Sequence, residues 1–348
     1  MGYAGLCGVE DLQINSDDTF HAGSIAQIDA FTDSAGLLAC ATQSPTLNAD
    51  PVILTGTPDR VIPANTPFEL DNGMVADSDP VSYQWDQMNI GSATDAISFG
   101  TDLGNNPLFR SYPPRADSRR HFPALGTQLN GEFDDAEVLP CSARNLDFRL
   151  TVRDLNGGQA TDDVRLKVDA NSGPFRVTSF TSAQTIDADS PLFIEWNKAN
   201  TDQPPVNCQN VSIDLLTFND ANYSRYSVHS LEMLTPNDGG QVVNFSQAGL
   251  SHPRARLRVK CSNSIFYDLS DADLVIQGNQ SSSSYSDSDE KTYFNTGGTV
   301  GTTVPSCSAS VVFSERSGGG SGAIDARWLL LLSLLFSAVK IYRRYGLQ

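Results

Sequence analysis

The chain has 348 residues, with 41 acidic side chains against 23 basic ones and a net charge of −18. That excess of acid excludes a nucleic-acid backbone or an acidic bilayer surface as partner of the main body, because no basic stripe is present to replace phosphate counterions. The six cysteines form no CxxC pair, which excludes a zinc knuckle or a thioredoxin-like motif, and a chain of this length is expected to divide into two or three domains. Histidines stand only at 21, 121, 229 and 252, no HExxH is present, and no serine lies in a GxSxG context. No catalytic centre is therefore recognisable in this chain.

Residues 1–45 form the first unit. Met1 to Cys7 has neither a basic n-region nor an apolar h-region, so it does not read as a signal peptide. Asp17 to His21 offers cap residues, and Ile25, Ile28 and Phe31 recur at helical spacing, which predicts a short amphipathic helix over 20–33. Cys7 and Cys40 bracket it, and in an exported protein a disulfide between them would staple the helix to the entering loop. So small a unit cannot bury a core alone and reads as the last piece of something larger.

Residues 48–170 read as an antiparallel β-sandwich. Leu146, Phe148, Leu150 and Val152 alternate with Asp147, Arg149, Thr151 and Arg153, and Asn156-Gly157-Gly158 turns the chain toward the strand ending at Val168. Between 91 and 139 the alternation fades and Gly, Asn, Pro and Arg dominate, which predicts a long irregular insertion. Residues 174–277 read as a second sandwich, with strands expected at 191–196, 211–218, 242–245, 255–261 and 274–276. Cys208 precedes one of these strands and Cys261 ends another, so a Cys208–Cys261 bridge across the sheets is expected; Cys141 and Cys307 stay unassigned.

A flexible Ser/Gly-rich linker follows at 279–322, too poor in apolar residues to order itself. The segment 323–345 reads as a hydrophobic helix with a basic end at Lys340, Arg343 and Arg344. Its apolar stretch from Trp328 to Val339 covers only about 18 Å against a hydrocarbon core of about 30 Å. Three readings stand: a buried terminal helix, a membrane span in which Arg327 and Lys340 snorkel to opposite interfaces, or a sorting signal. The fold class is thus mainly β, with two tandem immunoglobulin-like sandwiches after a short helical unit and before a C-terminal hydrophobic helix.

Asp77, Asp79, Asp154 and Asn156 lie at strand edges. They read either as calcium ligands, since calcium takes six to eight oxygens from flexible loops, or simply as turn residues. Paired carboxylates for sugar hydrolysis are not singled out anywhere. Asn210, Asn222 and Asn244 stand in acceptor sequons.

Met1-Gly2-Tyr3-Ala4, Asn15 to His21, Ile25 to Ile28 and Cys40-Ala-Thr42 resemble the end of the catalytic domain of bacterial reprolysin-like zinc metallopeptidases, a metzincin family. Asp77 to Trp85, Phe148 to Gly158 and Gly173 to Thr178 resemble the sandwich modules that follow that domain. The resemblance implies that Met1, Gly2 and Tyr3 are a methionine-turn remnant and that the 20–31 helix closes the missing domain. All three zinc histidines and the catalytic glutamate of the family would lie upstream, so this chain alone would hold no zinc and be inactive, with zinc present only in a full-length enzyme. The Gly318–Gly320 run, short apolar helix and terminal arginines resemble a GlyGly-type sorting tail. That likeness implies a bacterial envelope or extracellular location, with the tail in the inner membrane before processing, and an envelope sorting protease resembling rhomboid enzymes as partner. The function so implied is the non-catalytic part of a surface-attached metallopeptidase, meeting protein substrates through the missing domain. The alternative is a cell-surface adhesion or carbohydrate- or protein-binding sandwich protein.

Overall fold

The computed structural model describes residues 4–6, 8, 11–33, 47–95, 98–131, 134–220, 223, 225–245 and 251–278. They form a mainly β protein with two immunoglobulin-like sandwiches and a short helical element at the start.

The first sandwich contains β1 (Val52–Thr55), β2 (Arg60–Pro63), β3 (Phe68–Leu70), β4 (Met74–Ala76), β5 (Val81–Gln87), β6 (Arg120–Phe122), β7 (Asn145–Asp154) and β8 (Gln159–Asp169). The strands run β2-β8-β7-β5 in one sheet, with β3-β6 and β1-β4 as separate pairs. The alternation read from β7 sets its inward face: Leu146, Leu150 and Val152 are completely buried. Phe68 stacks on Phe122 with ring centroids 4.9 Å apart, and Phe109 meets both edge-on.

The second sandwich contains β9 (Arg176–Val177), β10 (Gln184–Asp187), β11 (Pro191–Asn197), β12 (Asn210–Phe218), β13 (Tyr226–Pro236), β14 (Gly240–Asn244), β15 (His252–Cys261), β16 (Tyr267–Leu269) and β17 (Leu274–Gln277). One sheet runs β10-β17-β15-β12-β13 and the other β14-β11-β9. The two sandwiches repeat one topology. In each, an early strand pairs in parallel with the last, β2 with β8 and β10 with β17, where an all-antiparallel arrangement was expected.

A single cluster of buried apolar side chains runs through both sandwiches. The connection after β8 makes this contact close. Gly173 has φ +99°, and a Cβ there would lie 2.1 Å from the Ala64 carbonyl oxygen, so only glycine fits. Phe175 N then donates to Thr66 Oγ1 at 2.9 Å. Strand β3 also bonds directly to the second sandwich, with Glu69 N donating to Ile265 O and Tyr267 N to Pro67 O, each at 3.0 Å.

The helix α1 (Ala22–Thr32) is docked on the first sandwich. Asp86 on β5, fully buried, accepts from Ala22 N at 2.9 Å, placing a carboxylate at the helix N-terminus. His21 is the N-cap: its Nδ1 accepts from Gly23 N at 3.0 Å, which leaves Nε2–H to donate to Gln87 O at 3.1 Å. The expected apolar stripe is not buried, since Ile28 and Phe31 are 44% and 66% exposed. Polar anchoring at one end, rather than an apolar face, holds this helix in place.

Candidate functional site

Two regions gather chemistry-bearing side chains. The first is the junction between the sandwiches. Strand alternation sends Phe68 and Leu70 of β3 inward and Glu69 outward, and on β6 it sends Arg120 and Phe122 inward and His121 outward. Glu69 and His121 thus meet β13, β15 and β16 of the second sandwich. Glu69 pairs with Lys260 and, at 3.5 Å, with Arg258, which also bonds Asp214 at 2.7 Å. His121 Nδ1 lies 2.8 Å from Tyr267 Oη and its Nε2 3.0 Å from Tyr226 Oη, so one ring nitrogen donates and the other accepts. Gln128, on the short helix α2 (Leu125–Asn130), donates to Tyr267 Oη at 2.9 Å, and Arg256 reaches the Leu129 carbonyl at the same distance.

Burial pushes the His121 imidazole down to about 4; Glu69 opposes this, while Arg258, Arg119 and Lys260 reinforce it. Burial alone would raise Glu69, yet Lys260 and Arg258 carry its carboxyl below the usual range. Asp268 is buried, which pushes it up to about 6 although Arg176 and the Val177 N–H both oppose the shift. These groups turn their polar atoms on one another. The cluster fixes the two sandwiches together.

The second region is the long irregular stretch between β5 and β7, interrupted by β6 and the short helix α2. Its backbone is held by buried polar side chains. Gln87 Oε1 accepts from Leu108 N at 2.7 Å and Phe109 N at 2.9 Å. Asp102 pairs with Arg144 at 2.7 Å, both side chains at most 2% exposed, and also accepts from the backbone N–H of Cys141 and Ser142. Burial alone would raise Asp102, but the hydrogen bonds from Ser142, Gly104 and Cys141 lower it. Residues 108–110 pair with 136–138 through Val138 N to Leu108 O at 3.0 Å and Arg110 N to Ala136 O at 2.9 Å. Above this floor lies an open, mostly apolar cleft of about 290 Å³, lined by Leu12, Phe99, Pro107, Leu108, Phe109 and Val138 among others.

The expected site residues fall elsewhere. Asp77 Oδ1 accepts from Asp79 N at 2.7 Å, and Asp154 Oδ1 accepts from Asn156 N and Gly158 N, each at 2.8 Å, while Asn48 binds its other oxygen. These carboxylates serve turns, and among the described residues no group of three metal-ligating side chains is assembled. Cys208 and Cys261 are joined by a disulfide with Cα atoms 6.0 Å apart, but it ties the chain just before β12 to the end of β15, its neighbour in the same sheet, instead of crossing between sheets. Cys141 is also disulfide-bonded. Met1, Gly2, Tyr3 and the Cys7–Cys40 pairing lie outside the described residues. Sequence reading missed Glu69, His121, Asp102 and Arg144; each is a lone polar residue whose partner is remote in sequence, so no local motif marks it.

No protein-family model matches the sequence, and no curated protein matches it. Solved structures resemble it weakly. The tandem Ig repeats of Dlar share 12% identity over 66% of this chain and 98% of theirs, at a TM-score of 0.33. The N-terminal Ig1-2 module of the Drosophila receptor protein tyrosine phosphatase DLAR shares 12% over 66% of this chain and all of its own, at 0.32. The N-terminal four Ig domains of Dscam1 isoform 1.9 share 10% over 68% and 48%, at 0.21. Scores this low carry no argument about activity.

These findings correct the metallopeptidase reading. No metallopeptidase model matches, no metal-ligating group is present among the described residues, and α1 is an anchored part of the first sandwich through Asp86 and His21. With it go the metzincin-derived function, the protein substrates of a missing catalytic domain, the sorting-protease partner and the bacterial envelope location. The span expected at 323–345 lies outside the described residues, and among those residues no helix is long and apolar enough to cross a membrane.

Proposed function

We propose that this chain is a non-catalytic, adhesion-type binding protein whose two sandwiches present one rigid surface to a protein partner. The observation that carries this reading is the use of buried polar anchors, Asp102–Arg144 and Gln87, to hold a long irregular insertion still. Long irregular stretches in compact domains are uncommon and usually functional, and preorganising them lowers the entropic cost of binding. A second feature agrees. On the β1–β4 ribbon, Ile53 and Val75 pack inward, while Val52, Leu54 and Met74 are 54%, 56% and 59% exposed. An apolar face of this kind suits a protein interface. A sugar ligand is less well supported, because Trp85 and Trp196 are 3% and 1% exposed and offer no ring to stack against.

The test is binding of the labelled full chain to cells before and after surface digestion. Saturable binding that disappears after protease treatment and survives glycosidase treatment is expected, and it should weaken in a Leu54→Glu, Met74→Lys double variant of unchanged Tm. Binding that glycosidase abolishes, or hydrolysis of casein by the purified chain, would contradict the proposal.

A further inference from the structure

Resting on that protein-binding reading, we infer that the cleft in the insertion is the anchor site for one aromatic side chain of the partner, with an N–H or O–H donor at its edge. The cleft is apolar where a ring would lie, against Phe99, Pro107, Leu108, Phe109 and Val138. Its volume of about 290 Å³ exceeds what a benzene-sized cavity needs, about 150 Å³, and approaches the lower bound for ligand sites. A bicyclic indole with part of its backbone fits that space better than an isopropyl group.

The polar component of the cleft selects among apolar guests. Asp135 stands at the rim, half-buried, and its carboxylate has no hydrogen-bond partner among the described residues. Gly100 lies directly against it: a Cβ there, where φ is +78°, would stand 2.4 Å from Asp135 Oδ1. Aliphatic guests leave that carboxylate unanswered, whereas an indole N–H or a phenol O–H donates to it. The amide and guanidinium side chains of the cleft are already committed. Asn106 bonds Leu103 N and the Thr101 carbonyl. Arg110 bonds Gln13 and faces Asp17 at 4.0 Å, which ties the N-terminal arm down and sets Leu12, 48% exposed, as one wall.

The walls are also prepared in advance. Gln87 fixes the floor from below, and Asp102 and Arg144 fix the 101–106 turn, so a guest meets a formed surface. Aromatic anchors seated in preformed, desolvated pockets are where binding energy concentrates in protein interfaces.

The experiment is ligand-observed saturation-transfer NMR on the full chain with N-acetyltryptophanamide, N-acetylleucinamide and the 1-methyl derivative of the tryptophan probe. Saturable binding of the tryptophan amide is expected, at least about tenfold tighter than the leucine amide. Methylation of the indole nitrogen should weaken it, and Asp135→Ala should erase the difference between the methylated and free indole probes. Ala93→Trp, at an exposed lining position, should fill the cleft and abolish probe binding with the unfolding midpoint unchanged. Absence of saturable tryptophan-amide binding, or binding indifferent to Ala93→Trp, would overturn the site. Cell-surface binding that persists in Ala93→Trp would also overturn it as the partner's anchor while leaving the protein-binding reading intact.

Discussion

The matching edges of the two sandwiches are covered in different ways. In the second, β12 carries β13, an eleven-residue strand in antiparallel register. In the first, the equivalent strand β5 meets, among the described residues, only a single bridge, Tyr83 with Arg115, at 2.7 and 2.9 Å, and the rest of the described covering chain is irregular. A strand satisfies backbone groups through its ladder and needs no special side chains. An irregular cover must satisfy them one by one, and that is the role of Gln87, Asn106, Asp102 with Arg144, and Arg120 with Glu137. The ladder edge is also guarded: the β12–β13 pairing shifts register twice between Val211 and Asp214, and such bulges discourage further strands from adding. One edge is therefore regular and closed to extension, the other irregular and shaped.

The sharpest way to break this contrast is Asp102→Ala. It leaves the Arg144 guanidinium buried without its partner, at a cost of up to about 5 kcal/mol, and hydrogen exchange in residues 98–110 should rise while β12 and β13 stay protected. Removing the second sandwich's own staple, with Cys208→Ala and Cys261→Ala together, opens a loop of sequence separation 53 and should cost about 4 kcal/mol in urea unfolding.

The junction offers a pH test. His121 is held at about 4 in the folded chain against an ordinary 6.5. Its contribution is therefore complete above pH 6.5 and is lost as pH falls toward 4, because the unfolded state takes up the proton first. The loss amounts to about 3 kcal/mol. Stability of the wild type should fall more steeply than that of His121→Gln across this window. The smallest effect is expected at Arg149→Ala. Its pair with Asp163 has distances of 2.6 and 2.7 Å, but Asp163 is 63% exposed, so the change in unfolding free energy should stay below about 1 kcal/mol.

What sequence reading captured was local. The alternation in 146–152 is the buried face of β7, and the cap residues before Ala22 do start a helix. The two sandwiches follow from such runs and their turns. The parallel pairings were hidden because β2 and β10 are four-residue strands whose partners lie about a hundred residues on, and period two says nothing about strand direction. The junction was hidden for the same reason: Glu69 reaches Lys260 across 191 positions. The protease likeness failed at Asp86 and His21, where α1 proves to be anchored on β5. Asp77 and Asp154 read either as calcium ligands or as turn residues, because Asp at a turn looks alike in sequence whether it accepts from backbone N–H groups or holds a cation.

A rigid binding surface requires the two sandwiches to act as one body. Trp85 lies in the first core and Trp196 in the second, so each can report its own domain once Trp328 is replaced by phenylalanine. Urea unfolding would be followed by fluorescence in Trp196→Phe and Trp85→Phe variants of that background. A shared apolar core and the Glu69–His121 junction predict coincident midpoints for the two reporters at pH 7. Two well-separated midpoints would show that the sandwiches unfold independently and would contradict the rigid binding body proposed here.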